Sequence, residues 1–308
     1  MSGGDAAAMA VQVAGLAAAP LLPGAVQAVK ARLQGRRGPG MLQPYRELRR
    51  LWGRGSVVPE GSGPVHRAAP VVVAACLALC LLVVPVSAAG TGWPAGHDAL
   101  LVVGLLALAR LSAALSAWDA GAGFGLMGAA RDLAVAVFGE ALLLLIVLTA
   151  ALPAGDTDLR HMWGAAAGGA PWGEPAHWCG ALAMGLAVLL ETGRQPFDNP
   201  DTHLELTMIH EGPLIEYAGR DLALLQWAAA ARHWVVLVLA AGLFLPHPGG
   251  VAAGLASLAA GLAALVVALA VAETWQAKMR LLRIPHALGA GCVVVLLGVL
   301  AGAAGVGS

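Results

Sequence analysis

The residues that could do chemistry here are acids and arginines lodged in or beside long apolar stretches. Asp119 closes one stretch, Arg131 and Asp132 open the next, and Glu140 lies inside it. Glu191 and Glu273 each close another, Arg110 interrupts the stretch that Asp119 closes, and Arg232 interrupts a further one. Asp198, Asp201, Glu205, Glu211, Glu216 and Asp221 crowd the segment that follows Glu191. Apolar surroundings disfavour the charged form of a carboxylic acid, so such groups can take up and release protons near neutral pH. Asp132 and Glu140 are eight residues apart, which puts them on one face of a helix. The chemistry this implies is a proton relay or charge coupling. The competing reading is a buried acid neutralised by an arginine such as Arg110 or Arg131. Asp119 and Glu273, at stretch ends, can also reach headgroup water.

Other reaction signatures are missing. Cys76, Cys80, Cys179 and Cys292 form no Cys-x-x-Cys pair and read as helix-packing thiols. Metal and cluster sites need grouped thiolates or imidazoles, so no metal and no cofactor is expected on this chain. His203 and His210 are seven apart, too far for a paired i,i+4 metal site. The run Gly121–Gly128 has no strand–turn–helix context for a phosphate loop and reads as a flexible turn.

The elements that carry these residues follow from composition. Of 308 residues, 59% are hydrophobic and only 12% are charged, about half the ~25% of a soluble domain. Eighteen Lys+Arg balance eighteen Asp+Glu, which removes the basic stripe of a nucleic-acid binder and argues against disorder. What remains is an all-α polytopic membrane protein. Crossing the hydrocarbon needs roughly 20 apolar residues, and eight stretches qualify: about 6–29, 68–90, 99–118, 132–152, 176–192, 221–245, 250–272 and 284–304. Residues 1–308 therefore read as a single integral membrane domain, with 153–175 along the outer surface.

Loop charge gives the orientation. Segment 30–67 carries nine Lys+Arg, including Arg36 and Arg37. Segments 119–131, 193–220 and 273–283 also carry Lys or Arg (Arg131; Arg194 and Arg220; Lys278, Arg280 and Arg283), whereas 91–98 and 246–249 have none and 153–175 has only Arg160. The positive-inside rule puts the basic set, including loops 30–67 and 193–220, in the cytoplasm of a cell membrane, with both termini outside. Trp93, Trp163, Trp172, Trp178 and Trp275 fall near span ends, as interfacial aromatics do.

Loop 193–220 is acidic yet part apolar. Pro196 and Pro200 forbid a continuing helix, a short helix is plausible from Thr202 to His210, and Phe197, Leu204, Leu206, Met208 and Ile209 imply burial against the bundle or a partner. Glu191-Thr-Gly-Arg194-Gln-Pro-Phe-Asp198-Asn-Pro-Asp201 resembles the Glu-x-Asn-Arg-x-Pro-Phe-Asp-x-Pro-Glu loop of the quinone-chamber membrane subunit of respiratory complex I. Glu216-Tyr-Ala-Gly219, Arg36-Arg37-Gly-Pro and Gln43-Pro44 are similar to further stretches of that family. The runs Lys30–Tyr45, Met127–Arg131, Asp198–Glu211 and Ala277–Pro285 look more like a sister branch, the membrane subunit of formate hydrogenlyases and other group 4 membrane-bound nickel–iron hydrogenases. Only three residues separate Gly38-Pro39 from Gln43-Pro44, a shorter loop than in the quinone-chamber proteins.

The resemblance implies an eight-helix bundle that acts as a non-catalytic membrane anchor and coupling subunit. It would link redox chemistry in a cytoplasmic arm to proton or sodium translocation. The implied proton path is Asp119, Glu140, Glu191, Asp198, Asp201, Glu205 and Glu216, to which position in the spans adds Asp132 and Glu273. Arg36, Arg37, Gln43, Arg194 and His203 would face the peripheral arm. The nickel–iron centre and iron–sulfur clusters are expected in partner hydrogenase large and small subunits or their homologues, with antiporter-like membrane subunits alongside. The alternative is the quinone-pocket subunit of an NADH:quinone oxidoreductase.

Overall fold

The computed structural model describes residues 3–87, 96–198, 209–246 and 250–305. Eleven α-helices are found among them: α1 Gly3–Ala18, α2 Leu21–Leu33, α3 Gln43–Trp52, α4 Pro64–Val83, α5 Ala99–Ala120, α6 Gly123–Ala154, α7 Leu159–Ala167, α8 Pro175–Glu191, α9 Gly219–Phe244, α10 Val251–Trp275 and α11 Ile284–Gly305. Among the described residues the only β-type pairing is an isolated bridge between Asp98 and Asp158. With no water in hydrocarbon, a spanning chain must satisfy its backbone internally, and helices do so.

Helices α4, α5, α6, α9, α10 and α11 are long and apolar enough to cross a membrane. Helices α1 and α2 pass the same test together, bent by 56°. The break falls at Ala19 and Pro20, and the rings of Pro20 and of Pro23 in the first turn of α2 remove N–H donors and clash with the preceding turn, so that α1 cannot run on. Helix α8 is apolar but has only 17 residues. These elements account for the eight stretches read from the sequence.

Helix α9 lies at the centre of the bundle and buries seventeen of its residues. Neighbouring spans alternate in direction. At one end, the His66 amide donates to Asp119 Oδ2 at 2.8 Å, the Met279 amide to the Pro196 carbonyl at 2.7 Å, and Arg194 meets Glu273. At the other end, Gln12 donates to the carbonyls of Leu82 and Val84, and Glu174 lies beside Gly302. The basic segments therefore gather at one end of the bundle, and helices α1 and α11 have their outer termini at the opposite one.

Two sequence expectations are corrected. Helix α6 starts at Gly123 rather than near 132, so Gly123–Gly128 is helical and only Gly121 (φ +69°) turns, capping α5. Gly128 serves packing: a Cβ there would lie 2.6 Å from Gly212 Cα, and small residues allow such backbone approach in membranes. Secondly, 153–175 does not merely lie on the surface. It forms α7, which buries Leu159, Met162, Trp163 and Ala166. Trp163 is fully buried against Gly242 of α9 instead of lying at an interface.

Candidate functional site

Helix α8 stops at Glu191 for a local reason. Gly193 adopts φ +61°, its amide donates to the Leu190 carbonyl, and the Arg194 amide donates to the Leu189 carbonyl. This is the Schellman pattern, which needs a left-handed residue just past the helix. The helix thus ends level with the middles of α5 and α9, and non-helical backbone follows inside the bundle.

Glu191 is buried and held by two arginines. Arg110 Nη2 of α5 donates to Oε1 at 2.7 Å, and Arg232 Nη1 of α9 donates to Oε2 at 2.7 Å. Arg232 also donates to the Leu106 carbonyl at 3.1 Å. Arg110 faces two further acids of α6, Asp132 Oδ2 at 3.8 Å from Nε and Glu140 Oε1 at 3.6 Å from Nη1. Asp132 and Glu140 share a face, as their spacing implies, about 12 Å apart along the axis. Gly139 brings α8 this close: a Cβ there would meet Leu190 Cδ2 at 2.5 Å. The Asp132 side chain is buried, while that of Glu140 is one-third exposed on the bundle flank.

A second group lies toward the basic end. Glu273 of α10 pairs with Arg194 at 2.8 Å and with Lys30 of α2 at 3.1 Å. A third group leads from the same end to the first. Asp198 is 3.5 Å from Lys278 Nζ and 3.2 Å from His210 Nδ1, and the far nitrogen of His210 lies 3.9 Å from Asp132 Oδ1. Charges run from the basic end to membrane depth in close steps. Isolated charges in hydrocarbon are costly, and mutual pairing offsets that cost.

The remaining site residues lie apart. Asp119 accepts from the His66 amide beside a stacked His66–Tyr217 pair with ring centroids 4.2 Å apart. Burial pushes the Tyr217 phenol up to about 12, and its hydroxyl donates to the His66 carbonyl at 2.7 Å. Glu216 is half-buried and forms no ion pair with other described residues. Arg36 bonds Gln34, Arg37 is exposed, and Gln43 donates to Glu47 at 3.0 Å in the first turn of α3. Asp201, His203 and Glu205 lie outside the described residues, as does the helix expected at 202–210 as far as residue 208.

Sequence reasoning did not single out Lys30, Lys278 and His210 as partners of these acids. The available signal was a lysine late in the first span, another just past the seventh, and a histidine in the apolar part of the acidic loop. Among the described residues no three His, Cys, Asp or Glu side chains converge as metal ligands.

A multi-pass helical bundle with paired charges threaded through its interior is the class of protein defined by this fold and site. A family model described as NADH dehydrogenase matches residues 6–303, and the chain belongs to that family of membrane subunits. Hydrogenase-4 component C of Escherichia coli (strain K12) is 36% identical over 252 residues, covering 82% of this chain and 78% of that protein. Formate hydrogenlyase subunit 4 of the same strain is 34% identical over 289 residues, covering 89% and 91%. An NADH-quinone oxidoreductase subunit of Chlorobium luteolum is 27% identical over 232 residues, covering 70% and 61%. In fold the chain is similar to one in the structure of the membrane-bound sulfane sulfur reductase, an archaeal respiratory membrane complex, with TM-score 0.81 at 18% identity over 95% of this chain and 97% of that one. The protein is thus a multi-pass membrane subunit of the hydrogenase and complex I type.

Proposed function

We propose that this chain anchors and couples a group 4 nickel–iron hydrogenase or formate hydrogenlyase-like complex, linking redox chemistry in a cytoplasmic arm to ion translocation by neighbouring membrane subunits. The carrying observation is the run of neighbouring charged groups from Asp198 through His210 to Asp132, and from there through Arg110 to Glu191 and Glu140. Nickel–iron and iron–sulfur chemistry then resides in hydrogenase large and small subunits or their homologues. Antiporter-like subunits stand on the Glu140 flank. The gathering of basic segments at one end supports a cytoplasmic position for loops 30–67 and 193–220 and outside termini.

The quinone-pocket reading has one feature in its favour, a cavity of about 250 Å³ beneath α3 lined by Pro23, Gln27, Pro44, Arg194 and His233.

The test is Glu140→Gln in the intact complex. Gln keeps the shape and hydrogen-bonding capacity but cannot ionise. We expect assembly and turnover with an artificial electron donor in detergent, and loss of gradient formation in sealed vesicles. Pumping at the wild-type ratio would make Glu140 a structural acid and remove the coupling role.

A further inference from the structure

We infer that His210 relays protons between the loop acid Asp198 and the buried acid Asp132, so that the ion handed on at this point is H⁺ and not Na⁺. The inference rests on the coupling role proposed above and names the residue and the ion that the role requires.

The ring is placed by backbone. The His210 amide donates to Asp198 Oδ2 at 3.1 Å, and Nδ1 lies 3.2 Å from the same oxygen. Two residues on, Gly212 packs against Gly128 of α6. Gly128 is one helical turn before Asp132, on the same face, so the seat that fixes the loop also aims the imidazole at that acid. Nε2 is buried, makes no hydrogen bond among the described residues, and lies 3.9 Å from Asp132 Oδ1. It faces a cavity of about 140 Å³ lined by Arg110, Asp132, Glu191, Thr192 and Gly193. Most of its wall is apolar, but Arg110, Asp132 and Glu191 supply polar partners at one side, and the space is roomy enough for water to close the last step.

The groups facing the ring are Asp198 with Lys278 on one side, and Asp132, Arg110 and Glu191 on the other. Imidazole can take a proton on one nitrogen and release one from the other near neutral pH. Nδ1 takes the proton of a protonated Asp198, giving the imidazolium. The Nε2 proton then leaves to the Asp132 carboxylate across the cavity. One proton enters and one leaves, the ring returns to neutral as the other tautomer, and rotation resets it. A sodium ion has no comparable route. The two carboxylates it would need already pair with Lys278 and Arg110, and the ring between them would have to move aside.

The experiment measures ions moved per electron pair by the whole complex in sealed vesicles. His210→Gln keeps a donor toward Asp198 but cannot pass a proton through. Its H⁺ ratio should fall to that of vesicles treated with a protonophore. In His210→Ala, added imidazole should restore the ratio, whereas pyrazole, of the same shape but a much weaker base, should not. A wild-type ratio in His210→Gln, equal rescue by pyrazole, or no rescue by imidazole in an assembled Ala variant would each overturn the relay. If His210→Ala does not assemble, the Gln variant decides alone. Loss in Glu140→Gln with a normal ratio in His210→Gln removes the relay and leaves the coupling role standing. A normal ratio in Glu140→Gln counts against the coupling role itself.

Discussion

Arg110 and Glu191 are 81 residues apart in the chain and 2.7 Å apart in the bundle. Arg110 is also the cation that faces Asp132 and Glu140. Removing it leaves Glu191 with Arg232 and takes the shared guanidinium away from all three acids, and breaking a buried pair costs about 3–5 kcal/mol. We expect Arg110→Gln to melt well below wild type in the detergent-solubilised complex. Arg110→Lys should recover only part of the difference, because an ammonium is a point charge and cannot span several carboxylates as a planar fork does. An unchanged melting curve for Arg110→Gln would contradict the pairing.

The contact between Gly242 and Trp163 makes a separate expectation. A Cβ on Gly242 would sit 1.9 Å from Trp163 Cε2, and the indole is fully buried. Gly242→Ala overpacks the site, at a cost of about 1–3 kcal/mol. Adding Trp163→Leu vacates the space, so the double variant should be more stable than the two separate losses sum to. Simple additivity in a double-mutant cycle would show that the two residues do not press on each other.

The spans were legible in the sequence because a run of about 20 apolar residues has few uses outside a bilayer. The bend in the first span was also written there, in Pro20 and Pro23, but hydropathy averages over such breaks. The early start of α6 was hidden because glycines mark turns in water yet mark close helix contacts in membranes. Trp163 was misplaced for a related reason: an aromatic near a span end fits an interface, and only the facing Gly242 makes room for it inside. The acids of the site were legible one by one, since a charge in an apolar stretch is conspicuous. Their partners were not. Arg110 with Glu191, Arg194 with Glu273 and Lys30 with Glu273 join different helices, and no local pattern specifies which spans become neighbours.

Sidedness and docking can be checked together. The basic segments share one end of the bundle, the end that the proposed orientation puts in the cytoplasm. Reporter fusions at Ser56 and Ser308 should therefore report opposite sides of the membrane; the same side for both would reverse the reading. Arg37 is exposed at the Ser56 end. Removing one partner of a desolvated interfacial charge pair costs about 2–5 kcal/mol, so Arg37→Glu should release the soluble subunits from washed membranes. Full retention of the arm would show that Arg37 is not at the interface.

Gly193 ties the helix end to the site, and its conformation makes a graded expectation. At φ +61° a β-branched residue is strained, by about 1–2 kcal/mol for an ordinary side chain in the left-handed region. Asparagine tolerates that region better than other non-glycine residues, and the complex I loop that this segment resembles has Asn here. Space permits the change: a Cβ would lie 3.4 Å from His210 Nδ1, an ordinary van der Waals contact. Gly193→Asn should therefore keep the Schellman bonds from Gly193 to Leu190 and from Arg194 to Leu189, and melt close to wild type. Gly193→Val should lose them, lengthen or fray α8 beyond Glu191, and pull Arg194 from Glu273. Its melting temperature should drop, and its ion-to-electron ratio should fall with it, because Arg194 and His210 both depend on where α8 ends. If Val and Asn at 193 behave alike in both measurements, the left-handed turn is not what stops the helix at Glu191.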